Sequence, residues 1–205
     1  MSPAPAKTPP GGRSLAGEVR IIGGQWKRSR LPVADRPGLR PTPDRVRETL
    51  FNWLGQDLTG WRCVDPFAGS GALGFEAASR GAAEVRMWEQ DAALVAKLSA
   101  VRERLGASVV RIERADGLNA LRRLAPASVD LVFVDPPFDS GLHAAALAAS
   151  RLAMNRNGRI YLEAPVAWQA GQLAPMGLAL HKHLRAGNVH AHLLVAADGA
   201  EAAAA

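Results

Sequence analysis

One tetrapeptide of the sequence, Asp135-Pro136-Pro137-Phe138, combines an acid, two prolines and an aromatic directly after the apolar run Val129 to Val134. An exocyclic amino group of a nucleic-acid base is a poor nucleophile, because its lone pair is delocalised into the ring. The Asp135 carboxylate and the Pro136 carbonyl can accept both amine hydrogens, and the prolines stiffen the turn that presents them. Phe138 offers a flat face on which an extruded base can stack. We therefore predict catalysis at these four residues.

A glycine-rich segment, residues 65–74 (DPFAGSGALG), lies where a predicted strand turns into a helix. Glycines at such a turn let the backbone approach a ligand closely, and the helix N-terminus directs its amides at that ligand. The glycine spacing also satisfies the dinucleotide fingerprint, with Glu89 as its acidic, ribose-binding partner. Asp65, however, would repel a pyrophosphate and suits the cationic groups of S-adenosylmethionine. We predict that this cofactor is bound by Asp65, Phe67, Ala68, Gly69, Gly71 and Glu89.

Asp116 and Gly117 follow a third predicted strand, 109–112, at the same carboxyl edge. Open α/β sheets bind ligands at this edge, and the Asp116 carboxylate can accept a hydrogen bond from an adenine amino group. A helix N-cap that binds no ligand explains the same aspartate. We include both residues among the expected cofactor contacts.

The elements that must position these residues alternate between strand and helix patterns from Trp61 onward. This alternation is typical of an α/β fold with a parallel, doubly wound sheet. We predict its strands at 62–65, 84–89, 109–112, 129–134 and 159–163. Residues 178–195 have a different pattern, that of two strands joined by the turn Gly187-Asn188. We therefore expect the sheet to end in an antiparallel hairpin.

The positive charge of the chain is concentrated near its N-terminus. The net charge is +6, and residues 1–50 hold 10 Lys and Arg against 4 Asp and Glu, whereas residues 51–205 hold 15 of each kind. A basic arm on a neutral body favours contact with a polyanion. Residues 19–33 are typical of a hairpin about Gly23-Gly24, and Thr42 and Pro43 predict the start of a helix over 43–54. The expected RNA contacts are Arg20, Trp26, Lys27, Arg28 and Arg30.

The 205 residues fit one domain of ordinary size with small additions. We predict four segments: a disordered extension (1–18), the RNA-binding hairpin and helix (19–56), the catalytic domain (57–197) and a disordered tail (198–205). The apolar stretches are of strand length, and the N-terminus is rich in Pro and Gly, so we expect a soluble cytosolic protein with no membrane segment.

Two further features have structural explanations. Cys63 is the single cysteine and lies in an apolar run, where it is expected to pack as a small hydrophobic residue. Four of the five histidines, at positions 181, 183, 190 and 192, lie on the predicted terminal hairpin, all on one face. They could form a metal site, but no acid or cysteine completes the set, so we predict no functional metal.

Four segments resemble bacterial 16S ribosomal RNA guanine-N2 methyltransferases of the RsmD family. They are residues 20–27 (RIIGGQWK), 39–54 (LRPTPDRVRETLFNWL), 65–74 and 132–138 (VFVDPPF). The last two are shared by many amino-methyltransferases, whereas the first two are much more particular. The resemblance covers about residues 19–196.

This resemblance implies a class I S-adenosylmethionine-dependent methyltransferase fold (Rossmann-like) with seven strands, catalysis at 135–138, and a cofactor held against Asp65, Gly69, Gly71, Glu89 and Asp116. It also implies that residues 39–42 lie near the methionine end of the cofactor, where Arg40 or Thr42 meets its carboxylate. The implied substrate is guanine 966 of 16S rRNA in the assembling 30S subunit, methylated at N2. We expect the enzyme itself to be a cytoplasmic monomer. The basic hairpin would then hold the RNA.

Three alternatives remain from the residues alone. An NAD-dependent oxidoreductase explains the glycines but neither Asp65, nor Asp-Pro-Pro-Phe, nor the terminal hairpin. A methyltransferase of the same class could act on adenine N6 or cytosine N4 of DNA or another RNA, because the tetrapeptide serves any exocyclic amine. A non-catalytic RNA-binding module would not need an intact Asp135 and Glu89.

Overall fold

The computed structural model describes residues 17–33 and 42–200 of the chain. It begins with two short antiparallel strands, β1 (Glu18–Arg20) and β2 (Arg30–Pro32), followed by the helix α1 (Asp44–Leu54). The predicted basic hairpin is present, but residues 21–29 join its strands in place of a tight glycine turn.

Seven further strands are β3 (Arg62–Asp65), β4 (Glu84–Glu89), β5 (Val110–Arg114), β6 (Val129–Val134), β7 (Met154–Ala164), β8 (Leu178–Ala186) and β9 (Val189–Ala196). The helices after α1 are α2 (Ala72–Ser79), α3 (Ala92–Leu105), α4 (Gly117–Arg122), α5 (His143–Ala153), α6 (Ala170–Leu173) and α7 (Ala197–Ala200), with 3₁₀ turns at Phe138–Ser140 and Ala174–Met176. The strands form one sheet in the order β5-β4-β3-β6-β7-β9-β8. Strands β3 to β7 pair in parallel, and β9 pairs antiparallel with β7 and β8. The predicted doubly wound sheet with a terminal hairpin is confirmed.

The strand β7 begins five residues earlier than the apolar pattern indicated. Val129 pairs with Met154, but Leu131 pairs with Arg159, so residues 155–158 bulge out of the ladder. This bulge has the sequence Asn-Arg-Asn-Gly, which lacks the apolar periodicity from which strands are predicted. The segments assigned to disordered tails also lose residues to regular structure, because Glu18 lies in β1 and residues 198–200 lie in α7.

The start of α1 differs from the prediction. The helix begins at Asp44 with Pro43 at the N-cap position, and no side chain caps it. The hydroxyl of Thr42, which was expected to be the cap, bonds instead to the carboxylate of Glu163. The Thr42 carbonyl accepts from Arg47 Nε at 3.2 Å, so the hydroxyl and the carbonyl of Thr42 both bond to buried side chains.

Two apolar layers cover the sheet. One face packs against α1, α2, α3 and the N-terminal hairpin, in a cluster that includes Ile21, Leu31, Phe51 and Phe133. The other face packs against α4, α5 and α6. Cys63 is buried in the first cluster, and burial raises the pKa of its thiol. Within the described ranges, no helix is both long and apolar enough to cross a membrane.

A fully buried carboxylate, Glu76 of α2, fastens the N-terminal segment to the sheet domain. Its two oxygens accept from the backbone amides of Ile22 and Gly23, each at 2.8 Å. They also accept from Arg80 Nη2 at 2.8 Å and from Arg47 Nη1 at 3.3 Å. Because the two guanidinium groups neutralise the carboxylate and the two amides saturate it, burial of the charge is compensated.

Gly23 and Gly24, the glycine pair of the predicted hairpin, also contribute to the contact between the N-terminal segment and α2. Gly24 has a φ of +73°, and a Cβ at this position would lie 1.8 Å from the carbonyl oxygen of Ser79. The Ser79 hydroxyl donates to the Gly23 carbonyl at 2.6 Å. The pair therefore lets the loop lie directly against the end of α2.

Candidate functional site

The strand order of the sheet reverses between β3 and β6, which are hydrogen-bonded neighbours. Asp65 is the last residue of β3, and Asp135 follows the last residue of β6. Open α/β sheets bind ligands outside the carboxyl ends of the strands at such a reversal. The structure therefore brings the glycine loop and the Asp-Pro-Pro-Phe tetrapeptide to one site.

Asp65 is only 2% exposed. Burial raises the pKa of its carboxyl group to about 7, although the backbone amides of Phe67 and Gly74 donate to it, and the negative charge of Glu89 adds to the rise. A positive ligand group beside Asp65 would relieve this unfavourable burial of charge. The site thus fits the cationic end of S-adenosylmethionine.

The glycine loop after β3 presents backbone to the site. Gly69 and Gly71 have φ angles of +52° and +76°, in the left-handed region. A Cβ at Gly71 would lie 2.6 Å from the Leu98 side chain, so packing also requires glycine there. Ala68 is buried and its amide donates to the Trp88 carbonyl of β4 at 3.0 Å, while Phe67 is partly buried against the second apolar cluster.

Glu89 ends β4 beside this loop. One carboxylate oxygen accepts from the amide of Gly69 at 3.1 Å and the other from the amide of Asp91 at 2.9 Å. Each carboxylate oxygen has two lone pairs, so this arrangement orients Glu89 and leaves capacity for the hydroxyl groups of a ribose.

Asp116 and Gly117 form the start of α4. Asp116 caps the helix by accepting from the amide of Asn119 at 2.7 Å, and its other oxygen accepts from Gln90 Nε2 at 3.0 Å. A Cβ at Gly117 would lie 1.6 Å from the carbonyl oxygen of Pro66. The structure therefore shows the helix-cap role of Asp116 and packs Gly117 against the glycine loop.

The tetrapeptide opens from a buried strand end towards solvent. Asp135 is partly buried, Pro136 is buried, and Pro137 is exposed. Phe138 is 37% exposed, and its ring centroid lies 6.3 Å from that of His143. Burial, together with the charges of Glu163 and Asp65, raises the pKa of Asp135 well above its ordinary value. The arrangement leaves an acceptor and an aromatic face accessible to a planar ligand.

Three residues near the end of β6 were not predicted as part of the site: Glu163, Tyr161 and His143. Val134 pairs with Leu162, so the next residues, Asp135 and Glu163, are neighbours. Glu163 is 4% exposed, and its Oε1 accepts from the Tyr161 hydroxyl at 2.7 Å. The His143 ring bonds to the Glu163 carbonyl, and burial lowers the pKa of this histidine. The position of Glu163 at the end of a predicted strand was the one available signal.

The basic residues predicted to bind RNA are exposed in the N-terminal hairpin and its loop. They are Arg20, Lys27, Arg28 and Arg30. Two form surface ion pairs, Arg30 with Glu18 at 2.9 Å and Arg20 with Asp44 at 3.8 Å. Trp26 is partly buried and packs on the first apolar cluster. The other residue implied for the cofactor beside Thr42, Arg40, lies outside the described residues.

The histidines of the terminal hairpin do not share one face as predicted. His183 pairs with His192 and Arg185 with His190, but the register shifts between Leu180 and Lys182, which takes His181 out of the alternation. The other three rings stack on one another, with centroids 4.8 to 6.3 Å apart. In the part of the chain that the structure describes, no three His, Cys, Asp or Glu side chains converge as metal ligands.

The sheet order and the acidic, glycine-rich edge define a class I methyltransferase fold. A solved structure of a putative methyltransferase from Escherichia coli superposes with a TM-score of 0.75 at 36% identity, covering 88% of this chain and 98% of that one. A putative methylase from Haemophilus influenzae gives 0.72 at 34% identity, covering 87% and 98%. The chain belongs to the family described as conserved hypothetical protein 95, the RsmD family, whose model matches residues 19–195.

Relatives in this family are named ribosomal RNA small subunit methyltransferase D. The one from E. coli K12 is 49% identical over 129 residues, which is 63% of this chain and 65% of the relative, slightly under two thirds of its length. The one from H. influenzae is 42% identical over 152 residues, 72% of this chain and 79% of the relative.

Proposed function

We propose that this protein transfers a methyl group from S-adenosylmethionine to the exocyclic N2 of a guanine in 16S ribosomal RNA. The observation that carries the proposal is the meeting of Asp65 and Asp135 at the point where the strand order reverses. The Asp65 carboxylate suits a cationic methyl donor, and the Asp135 carboxylate suits the amine that receives the methyl group. Membership of a family whose relatives are named for small-subunit rRNA methylation supports the substrate.

The cofactor contacts follow from the residues of the edge. Asp65 would hold a cationic group, the backbone of Gly69 and Gly71 would allow close approach, and Glu89 would accept from the ribose. Asp116 would contact the adenine, and Arg40 the methionine carboxylate, because the Thr42 hydroxyl already donates to Glu163. When bound, S-adenosylmethionine supplies a methyl group activated by its attachment to a positively charged sulfur.

The tetrapeptide would position the base. The Asp135 carboxylate and the Pro136 carbonyl accept the two amine hydrogens, which orients the nitrogen lone pair. Each charge-assisted hydrogen bond contributes about 1.5 to 3 kcal/mol. Phe138 stacks on the extruded guanine for about 1 to 3 kcal/mol. Most of the rate enhancement would then come from holding the reactants in line.

The wider context of the substrate extends the same proposal. The exposed Arg20, Lys27, Arg28 and Arg30 would contact RNA phosphates, with Trp26 beside them, and the target would be guanine 966 in the 30S subunit or its assembly intermediates. We propose that the hairpin and α1 form the RNA-binding segment, that residues 57–197 form the catalytic domain, and that the enzyme acts as a monomer in the cytoplasm.

Methyl transfer to defined substrates tests the proposal. Purified protein is incubated with labelled S-adenosylmethionine and with 30S subunits lacking the modification, naked 16S rRNA or DNA, and the products are digested to nucleosides. We expect N2-methylguanosine from the ribosomal substrate. N6-methyladenine or N4-methylcytosine as the product, or no transfer to any substrate, would overturn it.

A matched pair of variants tests the role of Asp135. Asp135→Ala should lower turnover at least about 100-fold, the scale expected for loss of a positioned catalytic contact. Asp139→Asn, an exposed aspartate four residues further along the same turn, should leave turnover unchanged. Wild-type turnover by Asp135→Ala would remove Asp135 from the mechanism.

A further inference from the structure

A second carboxylate, Glu163, lies beside Asp135 and has no part in the mechanism proposed above. The parallel register of β6 and β7 places the two residues next to each other on neighbouring strands, about 4.8 Å apart along the hydrogen-bonding direction. Side chains at matching positions of neighbouring strands point to the same face, and the charge of Glu163 helps to raise the pKa of Asp135. A base held by Asp135 is therefore next to Glu163.

The neighbours of Glu163 include two hydroxyl donors that orient its carboxyl group. Tyr161 donates its hydroxyl to Oε1 at 2.7 Å, and the hydroxyl of Thr42 is a second donor. Burial raises the pKa of Glu163, and both hydroxyl groups and the positive charge of Arg47 oppose that rise. An ionised carboxylate accepts about four hydrogen bonds, so two donors orient it and leave capacity for another.

Packing alone does not explain why an acid stands at this position. A glutamine has the same shape, and its amide oxygen could accept from both hydroxyls without the desolvation cost of a buried charge. A second acid beside Asp135 adds electrostatic repulsion to that cost. An arrangement that is costly for the protein alone is typical of a site that binds a complementary ligand.

We propose that Glu163 accepts the N1–H of the target guanine while Asp135 and Pro136 hold its N2 amine, so that Glu163 selects guanine over other bases. This inference rests on the proposed function. Guanine presents N1–H and N2–H side by side as donors on one edge. Adenine N1 and cytosine N3 instead carry a lone pair next to their amine, and this lone pair would face the Glu163 carboxylate. A site with a buried polar group rejects a ligand that leaves that group unpaired far more strongly than it rejects a change in size.

Base analogues at the target nucleotide separate this role from a structural one. The assay uses 30S particles reconstituted from 16S rRNA with guanine, 2-aminopurine or 6-thioguanine at that position. 2-Aminopurine keeps the N2 amine but has no hydrogen on N1, whereas 6-thioguanine keeps N1–H and changes the 6-substituent. For the wild type we expect kcat/KM to fall about 100-fold or more with 2-aminopurine and much less with 6-thioguanine.

The isosteric variant Glu163→Gln provides the decisive comparison. Its amide can donate to the bare N1 of 2-aminopurine, so the preference for guanine over this analogue should shrink at least tenfold or invert. Tyr161→Phe, which removes a donor to Glu163 but keeps the carboxylate, should retain the preference. Thermal unfolding and S-adenosylhomocysteine affinity are measured for both variants, to test that each is folded.

The possible failures are distinguishable. Equal wild-type rates on guanine and 2-aminopurine overturn the role of Glu163 and leave the proposed function standing. An equal proportional loss on every base in Glu163→Gln does the same. Absence of wild-type transfer to guanine overturns the proposed function and this inference with it.

Discussion

Replacing Asp65 by asparagine should make the ligand-free protein more stable relative to the wild type, by an amount that grows as the pH rises. The same substitution should remove cofactor binding. The folded-state pKa of Asp65 is about 7 because the side chain is buried, compared with about 3.9 in an unfolded chain. A carboxyl group whose pKa is raised on folding binds its proton more tightly in the folded state. Its contribution is therefore most favourable below pH 3.9 and is lost as the pH rises towards 7.

The expected magnitude follows from these two pKa values. Ionisation of Asp65 lowers the free energy of unfolding by about 1.5 kcal/mol at pH 5 and about 4 kcal/mol at pH 8. The wild type should thus lose about 2.5 kcal/mol relative to Asp65→Asn between these pH values. The hydrogen bonds to Phe67 and Gly74 also change, but that effect shifts both ends of the comparison equally.

Urea unfolding of both proteins from pH 5 to pH 8 measures this difference, to which the loss of the repulsion between Asp65 and Asp135 in Asp65→Asn also contributes. Asp139→Asn serves as the exposed control and should follow the wild type at every pH. Parallel stability curves for the wild type and Asp65→Asn would show that Asp65 does not titrate in this range and would refute the reasoning. Calorimetry at pH 8 should show loss of S-adenosylmethionine binding in Asp65→Asn.

Three further substitutions test other contacts. Phe138→Ala should weaken RNA binding about 5- to 150-fold, because one base stack is lost, and should retain cofactor affinity. Filter binding measures the RNA affinity, and an unchanged value would contradict stacking. Gly117→Ala places a Cβ 1.6 Å from the Pro66 carbonyl oxygen, so calorimetry should show at least a tenfold loss of S-adenosylhomocysteine affinity, and full affinity would mean that the loop can move at no cost. Glu76→Gln removes the carboxylate that Arg80 and Arg47 share and leaves Arg47 its ion pair with Asp44, so the free energy of unfolding should fall by about 3 to 5 kcal/mol because of the buried Arg80 charge. A loss below about 1 kcal/mol in urea unfolding would contradict the buried network.

The parts of the site that could be predicted from the sequence are those formed by motifs of consecutive residues. The run Val129 to Val134 gave the buried strand, and the tetrapeptide after it was expected at the carboxyl edge, where it lies. Gly187-Asn188 correctly predicted the turn of the last hairpin. Local patterns of this kind depend on backbone conformation and burial, which the residue types themselves constrain.

The parts that were missed depend on contacts between distant segments. Thr42 was predicted to cap a helix because it precedes Pro43, but a carboxylate far along the chain, Glu163, competes for its hydroxyl. Glu76 lies between Phe75 and Ala77 and is part of no motif, yet it joins the hairpin loop to α2. Such pairs become visible only when the sheet order is known.

The anchoring of the hairpin loop by Glu76 also sets an order for folding during synthesis. The amides of Ile22 and Gly23 leave the ribosome more than fifty residues before the carboxylate that holds them. Until α2 has been translated and packed, the loop 21–29 lacks this anchor. A nascent chain stalled before α2 would accordingly expose the loop 21–29 to proteases, and a chain in which α2 has packed would protect it.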